Sequence, residues 1–287
     1  MKKIADMPEL ETHNLLEKFV RVFTVPLLNA LPARLIQLFM RKSSHDAATV
    51  VAKGGSTHAL EVMYTRYHRE LFSRGFLQGI ADLFWHHFVS QPKALRNRLH
   101  IVQSLLEQEI RSRTEPIFIL SIAGGSARSL VSTLTKLRSE HFPHSVRVVV
   151  LDKDETALEV GGRVAASAGV RDCFEWVCGN ANDAASLVQH TQFDIVEIVG
   201  LLDYFDAKRT MRLLSALRSL MKTGGVLLAA NVVPNEEQIF VHKTGWPPMQ
   251  YRTANDFAHL IEKAAFAVRD TITEPLCVHT IVRASVS

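Results

Sequence analysis

The run from Phe118 to Leu130 reads Phe-Ile-Leu-Ser-Ile-Ala-Gly-Gly-Ser-Ala-Arg-Ser-Leu, apolar residues that break into small ones and resume with a helical pattern. A second apolar run, Val146 to Leu151, ends in Asp152. A strand that stops at small residues lets its backbone come close to a ligand, and an acid at the tip of the next strand can grip a ribose diol. The pairing points to an adenosine-bearing cofactor. A strand-to-helix turn also uses glycine for its backbone angles alone. An acid at a strand end can cap the following helix, but Asp154 is better placed for that cap, which leaves Asp152 to a ligand.

Two more strand tips carry polar residues. Val177-Cys-Gly-Asn-Ala181 offers the Asn180 amide to an adenine edge, or to the N-cap of a turn. In the segment Ile198 to Phe205, Gly200 permits close approach of a ligand, and Asp203 and Tyr204 stand at the rim where a substrate enters. Helix capping by Asp203 and ordinary packing by Tyr204 are the plainer readings. Residues 231–251 show no regular period, and a loop of that length in a compact domain is usually functional. Trp246, Tyr251 and Arg252 are therefore substrate-side candidates against simple surface packing, and a guanidinium suits a carboxylate or phosphate.

These tips need a sheet to hold them. From Pro116 onward, short apolar runs predict strands at 117–122, 146–151, 174–178, 194–199, 225–231, 266–272 and 277–284, with amphipathic helices between most of them. Such alternation implies a parallel sheet covered on both faces, with ligands above the carboxyl ends of its strands. The last two runs are too close for a helical crossover and should form an antiparallel hairpin at the sheet edge. The front of the chain, to Glu115, is helical in pattern. Leu15, Leu16, Phe19, Val20 and Phe23 form one stripe, and Leu35, Ile36, Phe39 and Met40 a second, both expected to be covered. After a polar break at 41–56, a third helix carries Leu60, Met63, Tyr64, Tyr67 and Leu71. A fourth follows Gly75, and Pro92 starts a fifth.

With 287 residues, 47% hydrophobic and 22% charged, the chain can bury one large core and a smaller one. A formal charge of +4 without a basic stripe disfavours nucleic acid as a partner. Cys173, Cys178 and Cys277 are too few and too scattered for a disulfide framework or a zinc site, and no signal-like segment opens the chain, so a reduced, cytoplasmic protein is expected. No apolar stretch reaches the length of a membrane span, and no membrane partner is expected. The close histidine pairs His86 with His87 and His141 with His144 lack an acid at ligand spacing, so no metal is expected. Neither a nucleophile elbow nor a phosphate-loop lysine is present.

The order of elements and the four strand-tip motifs resemble the class I S-adenosylmethionine-dependent methyltransferases, over Pro116 to the C-terminus. The resemblance implies a Rossmann-like seven-stranded sheet with a terminal antiparallel hairpin at 116–287, preceded by a helical lid at 1–115. It implies that Ala123, Gly124 and Gly125 cradle the methionine part of S-adenosylmethionine, that Asp152 with Lys153 holds the ribose, and that Asn180 and Ala181 face the adenine, with Gly200 close by. The chain departs from the commonest pattern: Ser121 occupies the usual acidic position, where the resemblance implies that its hydroxyl bonds the methionine portion directly or through water, and Ala123 and Ala127 replace the outer glycines. The Leu-Ser-Ile start, Gly-Leu-Leu-Asp-Tyr-Phe at 200–205, Gly-Gly-Val-Leu-Leu-Ala-Ala-Asn at 224–231 and Tyr-Arg-Thr at 251–253 resemble a narrower bacterial branch. That branch includes enzymes that make 3-hydroxy fatty acid methyl ester signals. Less specific similarity at 61–67 and 94–99 implies that Tyr64, Tyr67 and Arg96 reach the pocket from the lid.

The resemblance implies methyl transfer to a small-molecule hydroxyl, carboxylate or amine, with Asp203 as base or orienting group and Tyr204 and Tyr251 as wall or hydrogen-bond partners. The same pocket also suits azetidine- or nicotianamine-type chemistry, in which a nitrogen attacks the aminocarboxypropyl carbon and methylthioadenosine leaves. A nicotinamide-dependent oxidoreductase fits less well, because of the terminal hairpin and the helical front. A scaffold that has lost the cofactor is a further alternative, and the oligomeric state is open.

Overall fold

The structure is a computed structural model that describes residues 10–65, 75–114, 116–188 and 192–287. The helices are α1 (Leu15–Ala30), α2 (Ala33–Ser43), α3 (His45–Lys53), α4 (Thr57–Thr65), α5 (Phe76–Phe88), α6 (Ser90–Arg111), α7 (Arg128–Ser139), α8 (Glu155–Ser167), α9 (Ala184–Leu187), α10 (Ala207–Arg218), α11 (Gln238–Lys243) and α12 (Ala254–Lys263). The strands are β1 (Ile117–Ile122), β2 (Val146–Asp152), β3 (Phe174–Cys178), β4 (Phe193–Val199), β5 (Met221–Val232), β6 (Phe266–Thr273) and β7 (His279–Val286). They fall into two compact units. A helical unit runs up to Arg98 and takes in 233–249 and 274–279; a sheet unit comprises 99–232, 250–273 and 280–287.

In the sheet unit the strand order is β3-β2-β1-β4-β5-β7-β6. β1, β2, β3, β4 and β5 pair in parallel, and β6 and β7 form the expected antiparallel hairpin. The strands follow the apolar runs closely because both sheet faces are covered, so each central strand reads as continuous Val, Ile and Leu. Ile119, Leu120, Ile122, Val150, Leu151, Val196, Ile198, Leu227 and Leu228 are all completely or almost completely buried. Within this row of apolar side chains, two polar residues stand opposite each other across the β1–β4 pair, Ser121 and Glu197.

The helical unit corrects three expectations. The polar stretch 41–56 is not a break, because it contains α3. Ser44 caps this helix by accepting from the Ala47 N–H at 3.0 Å, and Ala47, Val50 and Val51 recur at helical spacing on its buried side. The stripes of α1 and α2 are not covered as expected. Leu15, Leu16, Phe19 and Phe23 are more than 60% exposed, as is Phe39, and Leu35 is half exposed; Ile36 and Met40 are buried. Helix α1 instead turns Glu17, Arg21 and Val25 inward. Ion pairing sets that choice: Lys93 donates to Glu17 at 2.8 Å, and Arg21 pairs with Glu236 and Glu237. Buried charges persist only when paired and hydrogen-bonded, so these partners fix which face of the helix points in. The helix expected to carry Leu60 to Leu71 is α4, described to Thr65, and Tyr67 and Leu71 lie outside the described residues. The supposedly irregular segment after Asn231 contains α11. Among the described residues, no helix is long and apolar enough to cross a membrane.

Candidate active site

The small-residue loop between β1 and α7 departs sharply from ordinary backbone geometry. Ala123, Gly125 and Ala127 all have left-handed backbone angles, with φ of 51°, 54° and 49°. For alanine this conformation costs roughly 1–2 kcal/mol, so the surroundings must hold it. Three hydrogen bonds do so: the Ala123 N–H donates to Leu151 O at 2.8 Å, the Ala127 N–H to Gly124 O at 2.8 Å, and the Gly125 N–H to Asp152 Oδ2 at 2.8 Å. Asp152 therefore closes the loop from the next strand, while its Oδ1 accepts from the Asp154 N–H at 3.0 Å. Gly124 is required by space. A Cβ there would lie 2.5 Å from Ser121 Oγ and 2.9 Å from Val150 Cγ1.

Beneath this loop lies a buried carboxylate that the sequence reading missed. Glu197 is 4% exposed; Ser121 Oγ donates to its Oε2 at 2.9 Å and Ser129 Oγ to its Oε1 at 2.6 Å. The signal in the sequence was an acid inside the apolar strand Phe193–Val199, where an apolar side chain would be buried more cheaply.

The other tips are placed as follows. Asp154 caps α8 through the Ala157 N–H, as the sequence reading had it. Lys153 is exposed beside Asp152. Asn180 is exposed and its Oδ1 accepts from the Asn182 N–H at 3.0 Å, so it caps the 3-10 turn that begins at Ala181. Gly200 has φ 96°, which turns the chain out of β4. After it, Asp203 is 4% exposed, and Tyr204 is half-buried against the sheet core.

Asp203, Tyr251 and Arg252 come together at the end of β5. The Val232 N–H donates to Asp203 Oδ1 at 2.7 Å, and the Gln250 N–H to Asp203 O at 2.6 Å. Arg252 Nη1 donates to Leu202 O at 3.0 Å and to Asn231 Oδ1 at 2.6 Å, and Nη2 donates to Phe205 O. The guanidinium thus ties the turn after β4 to the end of β5, and burial lowers its pKa. Asn231, fully buried, completes the knot by donating to Gln250 O at 3.0 Å. The sequence pattern points to Arg252 alone; its partner Asn231, 21 positions before it, carries no local signal. Burial, reinforced by the negative charge of Asp203, pushes the Tyr251 phenol up to about 12. It is a neutral phenol at physiological pH, and its buried hydroxyl finds no hydrogen-bond partner among the described residues.

Tyr64 and Trp246 belong to the helical unit, where both pack against its apolar core. The Tyr64 hydroxyl accepts from Arg98 Nη2 at 3.2 Å. Arg96 is buried and pairs with Glu11 at 2.5 Å. Tyr67 lies outside the described residues. Among the described residues, no group of three or more His, Cys, Asp or Glu side chains is placed to hold a metal ion.

A parallel sheet of this order, with a left-handed loop after β1 locked to an acid at the tip of β2, is a nucleotide-cofactor architecture. Residues 75–285 match the family described as "Putative methyltransferase", and the chain belongs to that methyltransferase family. A comparison with curated proteins finds no match. Solved structures share the fold. A protein described as a "putative O-methyltransferase" from Nostoc punctiforme PCC 73102 is 18% identical with a TM-score of 0.52, over 66% of this chain and 57% of its own. The chain thus spans little more than half of that protein. A possible exported protein from Bordetella parapertussis is 13% identical with a TM-score of 0.62, over 96% of this chain and 99% of its own. Magnesium protoporphyrin IX methyltransferase from Synechocystis PCC 6803, solved with bound S-adenosylhomocysteine, is 12% identical with a TM-score of 0.55, over 81% of this chain and 100% of its own.

Proposed function

We propose that this protein transfers a methyl group from S-adenosylmethionine to a small-molecule acceptor. The observation that carries the reading is the β1 loop, left-handed at three positions and bonded through Gly125 to Asp152. The residues fit the cofactor: the loop after β1 carries no side chain larger than a methyl at Ala123, Gly124 and Gly125, and each Asp152 oxygen keeps a lone pair for a ribose hydroxyl. Ala123, Gly124 and Gly125 would hold the methionine portion, Asp152 with Lys153 the ribose, and Asn180 with Ala181 the adenine, with Gly200 leaving room alongside. The cofactor, when bound, supplies an already activated methyl group on a sulfonium.

The protein is left to bind, align and exclude water. Asp203 acts as an orienting group, since one of its oxygens fixes the end of β5. Tyr251, neutral at working pH, serves as a hydrogen-bond donor rather than a base. Tyr204, Trp246, Tyr64, Tyr67 and Arg252 remain substrate-side proposals. The narrower resemblance to the methyl ester signal branch makes a hydroxylated carboxylic acid the first acceptor to try, and positioning alone can suffice for a carboxylate. The reading also keeps residues 1–115 as a lid and the protein as cytoplasmic, without a nucleic-acid partner.

The test is mass spectrometry of the protein incubated with S-adenosylmethionine and a panel of hydroxy acids, alcohols and amines, with binding followed by calorimetry. S-adenosylhomocysteine accumulating only with an acceptor supports the proposal. Methylthioadenosine above the no-enzyme level would replace methyl transfer by aminocarboxypropyl transfer or ring closure. No binding of either nucleoside would remove the enzymatic reading.

A further inference from the structure

We propose that the outward face of α1 and α2 docks on the surface of an anionic lipid bilayer, with the two helices lying in the plane of the interface. The inference is independent of the methyl-transfer reading. It revises the expectation of no membrane partner, which rested on the length of a span alone. No described helix is long and apolar enough to cross a membrane, but a helix that lies in the interface needs no such length.

Helix α1 is inverted relative to the usual surface helix, which turns apolar residues inward and charges outward. Its inward face carries Glu17 and Arg21, both paired. Its outward face carries Leu15, Leu16, Phe19, Val22, Phe23 and Leu27, each at least 57% exposed. At spacings of three and four residues these side chains form one strip, and the rings of Phe19 and Phe23 meet edge to face with centroids 5.5 Å apart. On α2, Leu35, Leu38 and Phe39 are exposed as well, and with Leu31, Lys42 and Ser43 they line an open cleft of about 490 Å³. Both helices pack on α5 and α11, so their outward faces turn away from the same support. The link between them is held there: Lys243 Nζ donates to Leu31 O at 2.9 Å, and Gln37 Nε2 to Lys243 O at 3.0 Å. An exposed apolar face of this extent marks an interaction site.

Charge decides the occupant. Lys18, Arg34, Arg41 and Lys42 are exposed on these two helices, whereas their single acid, Glu17, is buried against Lys93. The neighbouring Glu236 is engaged by Arg21. Apolar side chains interleaved with cations alone match acyl chains beneath phosphate-bearing headgroups. A second copy of this chain fits less well. A twofold axis would bring the cations of both copies into one interface, with no exposed acid on these helices to meet them.

The test is flotation of the full chain with vesicles of phosphatidylcholine, with and without phosphatidylglycerol, at low and high salt, beside sedimentation of the lipid-free protein. The wild type should float with the anionic vesicles, float far less with the neutral ones, and be released by salt. Phe19→Ser/Phe23→Ser should weaken binding at least about tenfold, because two apolar side chains lose their burial in the bilayer. Its unfolding midpoint should stay at the wild-type value, since both rings are exposed in the free protein. Arg41→Gln/Lys42→Gln should weaken binding to the anionic vesicles about fivefold per charge. Lys208→Gln/Lys263→Gln, the same loss of charge on the sheet unit, should leave it unchanged. Equal weakening by the two charge variants would mean diffuse attraction and overturn the assignment of this face. A wild type that ignores anionic vesicles overturns the proposal whatever the variants do; if that protein also sediments as a dimer that Phe19→Ser/Phe23→Ser splits, the face is a contact between copies.

Discussion

Replacing Gly124 by alanine places a methyl group 2.5 Å from Ser121 Oγ, 2.9 Å from Val150 Cγ1 and 3.1 Å from Ser121 Cβ. None of these atoms is the end of a long, flexible side chain. Ser121 is tied to Glu197, and Val150 is a β-branched residue in the middle of a buried strand, so relief has to come from movement of the loop. Inserting one methyl group into a tightly packed interior typically costs about 1–3 kcal/mol. Gly124→Ala should therefore lower stability by roughly that amount and displace the loop that Asp152 holds. Gly224→Ala is the control, because its φ is 76° but nothing lies within 4 Å of a Cβ there. It should cost only the left-handed backbone term of about 1 kcal/mol and leave nucleoside binding intact. The clash has a named partner, which gives a second arm. Ser121→Ala removes the nearest atom, so the double variant should recover part of the loss, with Val150 limiting the recovery. Denaturant unfolding measures stability, and calorimetry with S-adenosylhomocysteine reports on the loop. If Gly124→Ala costs no more than Gly224→Ala, or Ser121→Ala recovers nothing, the close packing beneath the loop is not what constrains position 124.

Two pH effects follow from buried groups. Burial, with Arg21 and Lys93 nearby, lowers His13 to about 4, so between about 6.5 and 4 the unfolded chain binds its proton and the folded chain does not. Stability should accordingly fall as pH drops through that window. A urea midpoint series from pH 7 to 4 should show a shallower slope for His13→Gln, and an unchanged slope would refute the assignment. Tyr251, raised to about 12, has the opposite sense: the folded chain keeps its proton above pH 10, and stability should decline from about pH 10 toward 12. Tyr251→Phe should remove that share of the alkaline loss and, by deleting a buried hydroxyl without a partner, leave the neutral-pH midpoint equal to or above that of the wild type. A lower midpoint would show that the hydroxyl is bonded in solution.

The amino-acid sequence by itself determined the sheet. Strands buried on both faces need unbroken apolar runs, so their positions, the two-strand hairpin and the loop at Ala123 to Ala127 can be read locally, as can the Asp154 cap. Asp152 and Gly125 were legible as residue types in the right places, but not the bond between them, because one sits in the loop after β1 and the other at the tip of β2, 27 positions on. The same limit hid Glu197: its partners are Ser121 and Ser129, 76 and 68 positions away, and only strand register brings them together. The role of Arg252 in joining the turn after β4 to the end of β5 is likewise a product of long-range contact. Helix α1 shows the clearest divergence. Its apolar stripe fixes that it is a helix, since periodicity is a local property of the chain. The face that points inward carries Glu17 and Arg21, whose partners Lys93, Glu236 and Glu237 lie far away in sequence, so the local pattern could not show it.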